Sequence, residues 1–122
     1  MWNFIKFALV GGTALLLDSL LFLTLNHLLN NLLLSRLIAF WGAASFTWLG
    51  NSYLTFDDRS GRNLKQWFKH LLACHIAGSA NIGSFVVLSA YITPIAALVC
   101  GAVTGMLLNF TIARRWIFNT VD

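Results

Sequence analysis

The chain has 122 residues, 58% of them hydrophobic and 10% charged, with a net charge of +4 and a mean hydropathy of +0.75. An ordinary soluble domain carries about 25% charged residues and less apolar content, so this composition excludes a water-soluble fold, and it excludes intrinsic disorder as well. Two cysteines exclude a disulfide scaffold, and the length allows four or five membrane helices of about 20 residues with no sizeable soluble domain.

Charges divide the chain into spans. Residues 7–35 carry one formal charge, Asp18; residues 37–56 carry none; residues 70–113 carry none over 44 residues. That last run is long enough for two helices and a tight turn, and Pro94, the only proline, marks the start of the second. Helices are therefore predicted at about 7–29, 34–54, 71–91 and 95–113, with a loop at about 57–69. The first reads as a retained helix rather than a cleaved leader, because its apolar run continues past ~15 residues with no small-x-small site. Period-2 alternation, the mark of a membrane barrel, is missing from runs such as Leu15–Leu17 and Ile95–Val99.

Basic residues set the orientation. With four spans, Lys6, Arg59, Arg62, Lys65, Lys69, Arg114 and Arg115 share one side, and Arg36 alone falls on the other. The positive-inside rule puts the seven, and both termini, in the cytoplasm. The net positive charge then reads as a topology signal beside anionic lipid headgroups, with no nucleic acid implied. Trp2, Trp67 and Trp116 fall near cytoplasmic span ends, where amphipathic rings favour the interface. Cys74 and Cys100 fall at different depths on antiparallel helices and read as small packing residues.

The halves match each other at an offset of 62–63 residues. At 63, Lys6 matches Lys69, Ala14 matches Ala77 and Asp18 matches Asn81; at 62, Ala39, Ala43 and Thr47 match Gly101, Gly105 and Asn109, and Phe56 matches Phe118. The expected fold is all-α: a polytopic membrane protein forming a single transmembrane domain over residues 1–122, its four helices built as two repeated hairpins. Gly101 and Gly105, spaced by four, make a small-residue ridge that lets helix backbones approach, within the bundle or in a homo-oligomer. Four helices form a thin wall around a bulky polar headgroup, which favours a homo-oligomer, a dimer along such a ridge.

Asp18 is the sharpest local signal. It lies ~17 Å along the first predicted span, near the midplane of a ~30 Å hydrocarbon core. A carboxylate there is costly unless paired, so it is either a functional group or a register-fixing one hydrogen-bonded to Asn81 or Ser19. Asn81 falls at a similar depth. Toward the cytoplasmic ends, Thr47 and Asn51 share a helix face, Asn109 falls at a similar depth on the fourth helix, and Lys6, Lys69, Arg114 and Arg115 surround them. Carboxamides beside basic groups suit hydroxyls and phosphate oxygens; for Arg114 and Arg115 simple topology anchoring is the competing account. His75 is expected to be a packing residue rather than a proton relay.

No enzyme site is visible. Asp57 and Asp58 are adjacent and face apart, no His/Cys cluster has metal-ligand spacing, and Gly11-Gly12 is not a phosphate loop. Neither a metal nor a cofactor is implied.

Three motifs in order resemble the GtrA-like family of small four-helix membrane proteins. They are Phe4-Ile-Lys-Phe7 with Val10-Gly-Gly12 and Asp18; Asn51-x-Tyr53-x-Thr55-Phe56; and Asn109-Phe110-x-x-x-Arg114-x-Trp116-x-Phe118. The resemblance spans essentially the whole chain. It departs from the family at Ser52, where a basic residue often follows the Asn, which shifts the charge to Arg59 or Arg114. The resemblance implies flipping of a polyprenyl-phosphate-linked monosaccharide, such as undecaprenyl-phosphate glucose, across the bacterial inner membrane for O-antigen or related glycans. Similar units occur joined to polyprenyl-phosphate glycosyltransferases, so a membrane anchor or scaffold for such a transferase is the alternative. On the flippase reading, Lys6, Arg114 and Arg115 take the phosphate, while Asp18, Asn51, Asn81 and Asn109 line the sugar's path. A small multidrug-type proton exchanger also has four short helices and one carboxylate in the first, but the seven-to-one charge bias argues against it.

Overall fold

The computed structural model describes residues 1–58 and 62–118, and every structural statement below concerns these residues. Four helices carry the chain: α1 (Trp2–Leu29), α2 (Leu32–Gly50), α3 (Leu64–Leu88) and α4 (Pro94–Ile112). α2 and α4 each run on into a short π-helical turn, Asn51–Thr55 and Ala113–Ile117. With those turns included, all four are long and apolar enough to cross a membrane. The protein is an all-helical, multi-pass membrane protein.

The chain divides into two compact units, Met1–Trp67 and Phe68–Asp122, which correspond closely to the two repeats. In the first, α1 presents Phe7, Val10, Ala14 and Asp18 as a buried stripe, spaced by three and four as one helix face requires. α2 answers with Ser35, Ala39, Ala43 and Ala44. Gly50 lets the helices close up, since a Cβ there would stand 2.8 Å from Val10 Cγ1. The rings of Phe7 and Phe56 meet edge to face, 6.4 Å between centroids. The turn between the helices uses Asn30 in the left-handed conformation at φ 49° and Asn31 as N-cap, its side chain accepting from Leu34 N. Such a cap contributes about 1 kcal/mol.

In the second unit the stripe on α4 is Ala97, Gly101 and Gly105. A Cβ on Gly101 would lie 2.6 Å from the Asn81 carbonyl oxygen, and one on Gly105 would lie 2.9 Å from that of Ala77. The glycine ridge is thus occupied by α3 of the same hairpin, and a second copy would have to use another surface. Pro94 stands at the first position of α4, as its missing N–H suits, with the Thr93 hydroxyl as cap.

Two boundaries differ from the sequence reading. α1 begins at Trp2 because Lys6 is accommodated within the helix, its amine 5.9 Å from the Trp2 ring centroid. α3 begins at Leu64 because Asn63 caps it, accepting from Gln66 N at 2.9 Å. Its first two turns absorb Lys65, Gln66 and Lys69, so the connecting segment is shorter than residues 57–69. Polar side chains at a helix end reach outward to water and need not terminate the helix.

The two halves also correspond in their π-turns. Phe56 N donates to Asn51 O and Phe118 N to Ala113 O, each at 2.9 Å, a five-residue spacing in both. The two turns are offset by 62 residues, the same offset that aligns Ala39 with Gly101 and Phe56 with Phe118.

Candidate functional site

Asp18 is buried, with 8% of its surface exposed, and its partner is Arg36. Arg36 Nη1 donates to Asp18 Oδ2 at 2.8 Å. The Ser19 hydroxyl, one of the expected partners, donates instead to Leu15 O. By charge count Arg36 is the one basic residue on the side opposite the other seven. It brings its guanidinium to the acid, because two opposite charges at an apolar depth cost less together than apart. Asp18 Oδ1 remains buried without a partner, and the Arg36 guanidinium carbon lies 5.7 Å from the Phe22 ring centroid.

At the other end of the first unit, Asn51 opens the π-turn. It is 1% exposed, and its Oδ1 accepts from the Thr55 hydroxyl at 2.9 Å. Its carboxamide is committed to holding the turn. Beside it the polypeptide folds over the helix end: Trp48 Nε1 donates to Gln66 Oε1 at 2.8 Å, Gln66 Nε2 donates to Asp58 Oδ2, and Trp67 Nε1 donates to Ser45 Oγ. Arg62 stacks on Tyr53, 3.6 Å from the ring centroid. Lys6 is half-buried beside Trp2. Arg59 lies outside the described residues.

In the second unit a polar cluster is formed by the buried His70 with the half-buried Cys74 and Asn109. His70 is fully buried and its Nε2 lies 3.4 Å from Cys74 Sγ. The Asn109 side chain also hydrogen-bonds Cys74, yet its Oδ1 is buried with no partner. Asn81 is half-buried against Gly101. His75, the histidine singled out in the sequence, is exposed, and His70 is the interior one. The signal was present: Gln66, His70, Ala73 and Ala77 form one helix stripe, and at offset 63 the last three match Phe7, Val10 and Ala14.

Basic side chains gather at the end of α4. Lys69 Nζ donates to Trp116 O at 3.4 Å and sits 5.1 Å from that ring's centroid. Arg114 and Arg115 are both exposed. Arg115 borders an open groove of about 320 Å³ whose other walls are Ile76, Thr111, Ile112 and Trp116. Of the basic residues expected to meet phosphate, Arg115 is the one placed beside an apolar channel.

Four helices long and apolar enough to cross a membrane, in two matching hairpins that carry a half-buried ion pair and carboxamides, define a small multi-pass membrane protein. Residues 6–118 match the family described as GtrA/DPMS, transmembrane domain, and the chain belongs to that family. The family is linked to the handling of glycosyl lipids. No curated protein matches the chain.

Proposed function

We propose that the protein moves a polyprenyl-phosphate-linked monosaccharide across the bacterial inner membrane for cell-surface polysaccharide synthesis, without catalysing a covalent step. The observation that carries this reading is the groove in the second unit. Ile76, Ile112 and Trp116 give it apolar walls suited to a prenyl chain, and Arg115 supplies a cation at its edge. Arginine's planar fork suits phosphate oxygens, and its charge persists at any accessible pH. Family membership supplies the class of cargo, a lipid-linked sugar.

On this reading Arg115 takes the phosphate on the cytoplasmic side, and Arg114 and Lys6 are further cations that phosphate can meet in the headgroup zone. Asn109 Oδ1, buried and unpartnered, is an acceptor for a sugar hydroxyl, and Asn81 and Asp18 are further polar groups a sugar can meet, whereas Asn51 is taken up by its own π-turn. Membrane lipids surround the prenyl tail. A homo-oligomer, as a dimer, completes the wall around the headgroup.

The test is transport by the purified protein in liposomes, with a short-chain prenyl-phosphate glucose as probe. Protein-dependent loss of probe from the outer leaflet, reduced at least about tenfold by Arg115→Gln, is expected. No transport, together with recovery of a membrane glycosyltransferase on affinity purification, would replace this reading with a scaffold. Phe68, 58% exposed at the start of α3, is the surface residue that favours such a scaffold.

A further inference from the structure

The Asp18–Arg36 pair is incomplete. A buried guanidinium–carboxylate pair is strongest when two parallel N–H···O bonds join the groups. Here one contact, Nη1 to Oδ2, is made at 2.8 Å, and Asp18 Oδ1 stays buried with no partner. The carboxylate side chain is 11% exposed whereas that of Arg36 is 49% exposed. One member of the pair is therefore sealed in and short of a donor, while the other is open and rich in donors. Arginine carries five N–H groups, of which a single bond to Asp18 uses one.

We propose that Arg36 is a second phosphate seat, at the turn end of the first hairpin, and that Asp18 is the internal counterion a phosphate displaces from it. This rests on the reading that the cargo carries a phosphate. A phosphate ester bearing nearby hydroxyls satisfies both halves of the pair. Its oxygens take the guanidinium fork, and a hydroxyl donates to the carboxylate. The exchange keeps an anion against Arg36, and the hydroxyl's hydrogen bond to Asp18 partly offsets the loss of that carboxylate's cation. Lys6 and Arg115 lie at the opposite ends of their helices from the turns, whereas Arg36 is five residues into α2, just past the first turn. A phosphate seat at each end of the spans gives the cargo a place to arrive as well as a place to depart.

Competition between Asp18 and the ligand gives the two residues opposite signs, which a merely structural pair would not. Full-length protein carrying Arg115→Gln, which removes the groove's cation, is placed in phosphatidylcholine nanodiscs and titrated with farnesyl phosphate. Asp18→Asn is expected to tighten binding about tenfold, the factor for a guanidinium otherwise held about nine-tenths of the time. Arg36→Gln is expected to weaken binding at least about tenfold, to the level that Lys6 and Arg114 support, with Arg36→Lys in between. Loss of binding in both Asp18→Asn and Arg36→Gln overturns the proposal, as does no change in either. The double variant Asp18→Asn/Arg36→Gln replaces the pair with neutral hydrogen-bonding side chains and checks that folding survives; it should bind like Arg36→Gln. If no Arg115→Gln protein binds the probe while wild type does, the Arg36 seat is wrong and the groove stands. If wild type also fails to bind, both fall. Displacement of the probe by added phosphatidylglycerol identifies ordinary headgroups as the occupant of the seat; its absence identifies the prenyl phosphate.

Discussion

Gly101 lies so close to Asn81 that an added Cβ would stand 2.6 Å from the Asn81 carbonyl oxygen and 2.8 Å from its Oδ1. Backbone cannot yield as a flexible side chain does, so Gly101→Ala should lower the thermal midpoint in detergent, at a cost of about 1–3 kcal/mol. Gly78, on α3 with nothing within 4 Å of its notional Cβ, is the control. Gly78→Ala should leave the midpoint unchanged or raise it, by up to about 1 kcal/mol of helix propensity. Equal losses in the two would refute the close-packing account.

Asn109 separates stability from transport. Its Oδ1 is buried without a partner, so replacing the carboxamide with the similarly sized Leu removes a desolvated acceptor. The stability of Asn109→Leu should hold within about 1 kcal/mol, because the relief of the unpartnered oxygen offsets the lost hydrogen bond to Cys74, while liposome transport of the prenyl-phosphate sugar falls. A variant that unfolds early would instead mark Asn109 as a structural residue.

Asn51 and Thr55 should be coupled. Their buried hydrogen bond spans the π-turn at 2.9 Å. A double-mutant cycle of Asn51→Ala and Thr55→Ala, read by unfolding, should return a coupling of about 0.5–1.5 kcal/mol. A coupling near zero would mean that Asn51 is held by its backbone alone.

Gln66 joins Trp48 to Asp58, accepting from one and donating to the other. Gln66→Ala leaves the buried Asp58 carboxylate and the indole N–H each short of a partner. Unfolding should come about 1–3 kcal/mol easier, and protease cleavage after Arg62 should quicken as this segment loosens from the helix end.

Much of the fold was legible in the sequence because membrane spans announce themselves through composition. Charge gaps located four helices, Pro94 located the start of α4, and the 62–63 offset located the duplicated hairpin. The boundaries at Trp2 and Leu64 were not legible, because the sequence reading ended each helix where charge began. Lys6, Lys65 and Lys69 sit inside helices.

The site was legible by depth and illegible by pairing. Asp18 was recognised as expensive, but its partner is 18 residues away across a turn, where no helical periodicity connects them. Arg36 was counted as a topology charge because its backbone lies near a span end, and a long side chain can carry its charge far from there. Gly101 and Asn81 were assigned to different roles, packing and polar path, yet they form one contact. His75 attracted notice by its position in the chain, whereas the buried stripe runs through His70.

The matched π-turns at Asn51–Thr55 and Ala113–Ile117 also fix an order of events. A widened turn of this kind marks one residue gained within a helix, and the gain stands at the same place in both halves. Either the same insertion happened twice, or it happened once in an ancestor half as long, before the gene was doubled. The single event is the simpler history. It makes the older protein a lone hairpin already equipped with its peculiar exit, and the modern chain two descendants that have since drifted apart. At that position one half now carries Asn51, with its side-chain hydrogen bond to Thr55, and the other carries Ala113, whose methyl group can make none.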